Sequence, residues 1–125
     1  MKRLIACGLI VLLAGCTTLK DAKEGRGTGV SRDYPAAFDV IWNATVKVVK
    51  ESDLDLVSEN RERGEILAQR GLSVFSYGEN VALFVDRKSD SITTVEVISK
   101  RSLATNITAR DWGETLLDRI TESLP

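Results

Sequence analysis

The sequence predicts an α+β fold in which a four-stranded antiparallel meander is packed on one face by an N-terminal and a C-terminal helix. Three observations predict it. Apolar residues recur at helical spacing over about 36–51 and again over 112–124. Between those stretches, short runs alternate apolar with polar residues, as half-buried strands do. The runs are separated by turns rich in Asn, Gly, Asp and Ser. Such a meander keeps one wet face and one dry face, and two amphipathic helices need an apolar partner, so both are expected on the dry face.

The folded part is expected from about Val30, and the pattern allows a short leading edge strand through Asp33. Pro35 suits the first turn of a helix, where its missing N–H leaves no bond unmade. Phe38, Ile41, Trp42, Thr45, Val48 and Val49 form the apolar stripe, with Asp39, Asn43, Lys47 and Lys50 between them. Phe38 and Trp42 read as core anchors. Asp53-Leu54-Asp55-Leu56-Val57 reads as the first meander strand, Asn60 to Gly64 as a polar turn, and Ile66-Leu67-Ala68 as the start of the return strand. Val81, Leu83 and Val85 line one face of the third strand. After a turn over Lys88–Ser91, Thr93, Val95 and Val97 line the fourth. Asp111 and Glu114 have the spacing of a capping box, and Trp112, Leu116 and Ile120 stack along the last helix, widened by Leu117 and Leu124. Gly113 within that helix's first turn suggests close packing at its start.

The N-terminus reads differently. Lys2 and Arg3 precede an apolar run of 11 residues, Leu4–Ala14. That is short of the ~20 residues a bilayer-spanning helix needs and fits a signal-peptide hydrophobic region. Leu13-Ala14-Gly15-Cys16 closes the run, and the sequence turns polar at once. These residues resemble a bacterial lipoprotein signal: residues 1–15 are removed and Cys16 carries the lipid. The resemblance implies a diacylglycerol on the Cys16 sulfur and commonly a third chain on its amine. Two or three such chains anchor a protein far more firmly than one. Thr17, in place of the Asp that retains lipoproteins in the inner membrane of Gram-negative cells, implies the outer membrane, facing the periplasm. Residues 16–29 then read as the lipidated cysteine and a flexible tether, rich in charge and glycine with Leu19 its only large apolar residue. Residues 30–125 form the single α+β domain.

Composition narrows the function. The formal charge of −1 becomes −3 once Lys2 and Arg3 leave, which argues against nucleic acid as a partner. Cys7 leaves with the signal and Cys16 is acylated, so no disulfide supports the fold. Histidine is absent. No nucleophile elbow or calcium-loop spacing occurs, and Gly25, Gly27 and Gly29 match no phosphate-binding pattern. No enzyme, metal or cofactor is expected.

The element order is helix-grip-like. The segments Tyr34-Pro35, Phe38, Val40–Trp42 and Ala44, then Ser76-Tyr77-Gly78-Glu79 and Asp111-Trp112-Gly113, resemble small bacterial lipoproteins of unassigned function. More remotely they resemble the helix-grip domains of the accessory lipoprotein in the outer-membrane barrel-assembly machinery. The resemblance spans about 34–124 and implies fold and compartment, with no catalytic residue carried over. Two function classes follow. The first is a membrane-anchored, non-enzymatic interaction module docking on an envelope protein. Its candidate contact loop is Val74, Phe75 and Tyr77 within Gly71–Gly78; the alternative is that Val74 and Phe75 fold back to close one end of the core or that the segment extends the hairpin. The second is a carrier or sensor of a small apolar ligand held between sheet and C-terminal helix, with Trp112 and Leu116 facing it.

Overall fold

The computed structural model describes residues 19–71, 78–101 and 112–125. Its elements are α1 (Leu19–Glu24), β1 (Val30–Tyr34), α2 (Phe38–Glu51), β2 (Asp55–Asn60), β3 (Glu65–Arg70), β4 (Glu79–Arg87), β5 (Thr93–Arg101) and α3 (Trp112–Ser123). The strands form one antiparallel sheet in the order β1-β5-β4-β3-β2. The fold is α+β, and β2 to β5 form the meander. The leading strand is present as one edge of the sheet, with Val30 opposite Val97 and Tyr34 opposite Thr93.

The alternation in the sequence sets the main core. Val81, Leu83 and Val85 point to the same face as Ile66, Ala68, Val95 and Val97, and there they meet Ile41, Trp42 and Val49 of α2 and Trp112, Leu116, Leu117 and Ile120 of α3. Thr45 stands within this apolar surface because its hydroxyl donates to the Ile41 carbonyl one turn back, at 2.7 Å. α2 starts later than its composition suggests. Pro35 and Ala36 form a turn tied to the sheet, with Thr93 Oγ1 donating to the Ala36 carbonyl at 2.9 Å. The extended Ala37 is then the residue before the first helical turn.

Two differences from the sequence expectation bear on function. First, β2 begins at Asp55 and is irregular, its register shifting between Leu56 and Ser58. The irregularity leaves Val57 49 % exposed on the free edge of the sheet. A bulge flanked by Asp55 and Glu59 is a common guard against unwanted strand pairing. Second, the expected flexible tether is folded over residues 19–29, and the second face of the sheet is not simply wet. α1 lays Ala22, wholly buried, against Ala82, Phe84 and Ile98, with Leu67 beside them.

Polar contacts lock the rest of that segment. The Glu96 carboxylate accepts the Gly27 and Gly29 backbone N–H groups at 2.7 and 2.8 Å. Arg26 sits 4.5 Å over the Phe84 ring and pairs with Asp86 at 2.6 Å. Gly29 lies so close to β5 that an added Cβ would meet the Val97 carbonyl oxygen at 2.3 Å. A chain too polar to build its own core is thus ordered by docking on one that exists.

β1 is fastened to α3 as well as to β5. Arg32 pairs with Glu114 and Asp118 at 2.9 and 3.0 Å. Lys88 and Thr94 both donate to Asp33, which holds that carboxyl below the usual range. Buried Tyr34 donates its hydroxyl to the Leu117 carbonyl at 2.7 Å. Burial raises the Tyr34 phenol above its ordinary value, so the folded state holds a proton that the unfolded chain releases near pH 10. That contribution is intact below about pH 10 and is lost as the pH climbs from there through the raised folded value. Tyr34→Phe should cost about 1 kcal/mol at pH 7 through the lost hydrogen bond. Urea unfolding of both proteins at pH 7 and pH 10.5 should also show a shallower alkaline loss in the variant. Equal alkaline losses would mean that Tyr34 titrates alike in the folded and unfolded states.

Candidate functional site

Leu13, Ala14, Gly15 and Cys16 lie outside the described residues, as do Val74, Phe75 and Tyr77. Trp112 and Leu116 are described, and both are wholly buried in the main core. The ligand-facing role expected for them would need open space beside α3. Their surroundings are instead the packed side chains of the sheet and α2.

What the structure brings together is a set of segments that stand far apart in sequence. Trp112, at the start of α3, donates its indole N–H to the Glu79 carboxylate at the start of β4. Glu79 is 1 % exposed, and Arg70, opposite it on β3, reaches its other oxygen at 3.6 Å. Arg101 holds the register position opposite Glu79 on β5. On the other face of the same strands, Gln69 donates to Asn80 at 3.0 Å, and Asn80 is equally buried. A buried carboxylate is costly unless donors surround it. Here the indole donates a hydrogen bond and the Arg70 guanidinium supplies an ion pair.

This cluster occupies the end of the sheet from which residues 71–78 and 102–111 depart. Both oxygens of Glu79 face partners, an arrangement that positions α3 on β4. The sequence singles out the segments around Glu79 and Trp112, and Tyr34 too, but does not show that Glu79 and Tyr34 both make polar contacts to α3. A single glutamate at a strand start carries no mark of burial, so the pairing with Trp112 was not legible.

The accessible features lie along α2. Phe38 stacks on Trp42, with ring centres 5.9 Å apart. The guanidinium of Arg87 lies 5.2 Å from the Phe38 ring, and that of Arg61 lies 6.0 Å from it. Arg61 also pairs with Asp39. Phe38, Asp39, Arg61 and Arg87 border an open groove of about 450 Å³ that Gly64 and Val85 also line. A second groove of about 370 Å³ shares Arg61 and runs between α2 and β2, lined by Trp42, Val46, Lys47, Lys50 and Glu59 among others. Val40 on α2 is 45 % exposed and Val57 on β2 is 49 % exposed. Mixed charge around aromatic and aliphatic surface is a composition that protein contacts use. Phe38 packs against the main core, as the sequence predicts, but is only partly buried; its meeting with Arg61 of the polar turn is not legible in the sequence, because it depends on how the β2–β3 turn folds over α2.

Among the described residues no group of acidic, histidine or cysteine side chains is placed to hold a metal ion. No helix among them is long and apolar enough to cross a membrane. No protein-family model matches the chain, and no curated protein matches its sequence.

Proposed function

We propose that this chain is a bacterial envelope lipoprotein, anchored through acylated Cys16, whose folded part is a non-enzymatic protein-interaction module. The observation that carries the reading is the run from Lys2 to Cys16: two cations, 11 apolar residues, then Leu-Ala-Gly-Cys and an immediate change to polar sequence. In a Gram-negative cell, Thr17 directs the product to the outer membrane, facing the periplasm. The fold supports the module reading through its surface. Beside α2 it offers two grooves that share Arg61. The carrier reading has no comparable support, since Trp112 and Leu116 are enclosed by core side chains.

The test is Cys16→Ser in growing cells. The parent protein should incorporate labelled palmitate and fractionate with membranes, whereas the variant should incorporate none and leave the membrane fraction. A variant that still sediments with envelopes, or a parent that takes up no label, would overturn the anchoring.

A further inference from the structure

The lipid anchor lies very close in the chain to Leu19, the first described residue. Only Thr17 and Thr18 separate Cys16 from Leu19, the first residue of α1. Three peptide steps span at most about 10 Å, from ~3.3–3.6 Å per residue. α1 is docked on the face of the sheet that carries Ala82, Phe84 and Ile98, whereas α2 and α3 cover the opposite face. With layers ~10 Å apart, the outer side of α2 stands roughly 20 Å or more from α1. A leash of about 10 Å cannot pass around that thickness.

The geometry points to a fixed orientation. The α1-bearing face of the sheet rests against the phospholipid surface, and the α2 side, with the groove between α2 and β2, is turned away from the membrane. This inference rests on the reading of Cys16 as the anchored residue. Had residues 17–29 been a free coil, as their composition suggests, every side of the domain could have reached the bilayer. The docking of Ala22 and the grip of Glu96 on Gly27 and Gly29 remove that freedom.

Charge contributes little to the contact. On the α1 side, Lys20 pairs with Glu24, Lys23 with Glu65 and Arg26 with Asp86. The face is close to neutral, so the short leash imposes the contact through high effective concentration. Protection should therefore be the same on zwitterionic and anionic vesicles.

The two faces carry their own reporters: Lys20 and Lys23 on α1, and Lys47 and Lys50 on α2. The chain from Cys16 onward contains every residue of both core clusters and has Cys16 as its single thiol. Coupled through that thiol to maleimide-headgroup lipid in phosphatidylcholine vesicles, it can be probed with a bulky water-soluble acylating reagent and mass spectrometry. Relative to the uncoupled chain, Lys20 and Lys23 should react at least about three-fold more slowly, and Lys47 and Lys50 at an unchanged rate. Twelve Gly and Ser residues inserted between Thr18 and Leu19 add roughly 20 Å of reach and should abolish the protection. Equal protection of both faces, none on either, or greater protection of Lys47 would overturn the orientation. Protection that survives the spacer would also overturn it, by assigning the contact to affinity of the domain for lipid. Because coupling replaces acylation, this result is independent of whether cells lipidate Cys16.

Discussion

Trp112→Ala is expected to destabilise the protein by about 3–5 kcal/mol, the range for removing a fully buried large aromatic side chain. Trp112 is the largest of the wholly buried side chains, and no part of it reaches solvent. Its loss opens a cavity between α3 and the sheet, and it also removes the indole donor from the buried Glu79 carboxylate. Leaving a buried charge short of a donor adds a penalty of ~1–3 kcal/mol. Domains of this size are stable by only about 5–15 kcal/mol, so the variant should sit near the edge of folding at 37 °C. Urea unfolding should show a midpoint shifted far down, with a melting temperature lower by more than about 12 °C.

The two contributions can be separated. Trp112→Phe keeps most of the apolar surface and loses the donor, while Glu79→Gln removes the charge that needs it. If the Glu79 contact matters, the double variant should lose less than the sum of the single losses. Additive losses would confine the role of Trp112 to filling space. A fall below about 1 kcal/mol for Trp112→Ala would contradict its placement in the core altogether.

The contrast between Trp112 and α1 shows what the sequence made legible. Strands with one buried face carry their own signature, and Val81, Leu83, Val85, Thr93, Val95 and Val97 could be placed on the dry face from alternation alone. The stripes Ile41–Trp42–Thr45–Val48–Val49 and Trp112–Leu116–Ile120 were legible for the same reason at a different period. α1 was not. Six residues with one buried alanine make no periodic pattern, and an isolated helix of that length would not hold together in water. It exists because Phe84 and Ile98 already stand on a finished sheet, a tertiary fact that local composition does not encode. Glu79 was missed for a related reason, since its burial depends on partners from β3 and α3. The contact loop proposed at Val74, Phe75 and Tyr77 lies outside the described residues.

Gly64→Ala should be nearly as damaging as losing the tryptophan, by a different route. Gly64 closes the turn between β2 and β3 with φ at +65°, a conformation in which any Cβ crowds the following carbonyl and costs about 1–2 kcal/mol. A Cβ there would also fall 2.1 Å from the Val85 carbonyl oxygen, a backbone atom that cannot rotate aside. The Gly64 carbonyl accepts the Val85 N–H at 2.7 Å, so relieving the clash pulls that bond apart, at ~1 kcal/mol. Displacing β4 from the turn further strains the pairing of Glu65 with Phe84, an overpacking term of ~1–3 kcal/mol. Together these give roughly 3–6 kcal/mol, dominated by backbone contact.

Two other glycines isolate the causes. Gly27 has φ at +94° but open space where its Cβ would lie, so Gly27→Ala carries the conformational cost alone, about 1 kcal/mol. Gly71 has neither constraint, and Gly71→Ala should be neutral or slightly stabilising. Melting temperatures should therefore rank Gly71→Ala above Gly27→Ala, with Gly64→Ala far below both. Should Gly64→Ala melt within a few degrees of Gly27→Ala, the close approach of the β2–β3 turn to Val85 would be wrong, and with it the lining of the groove beside Phe38 and Arg61.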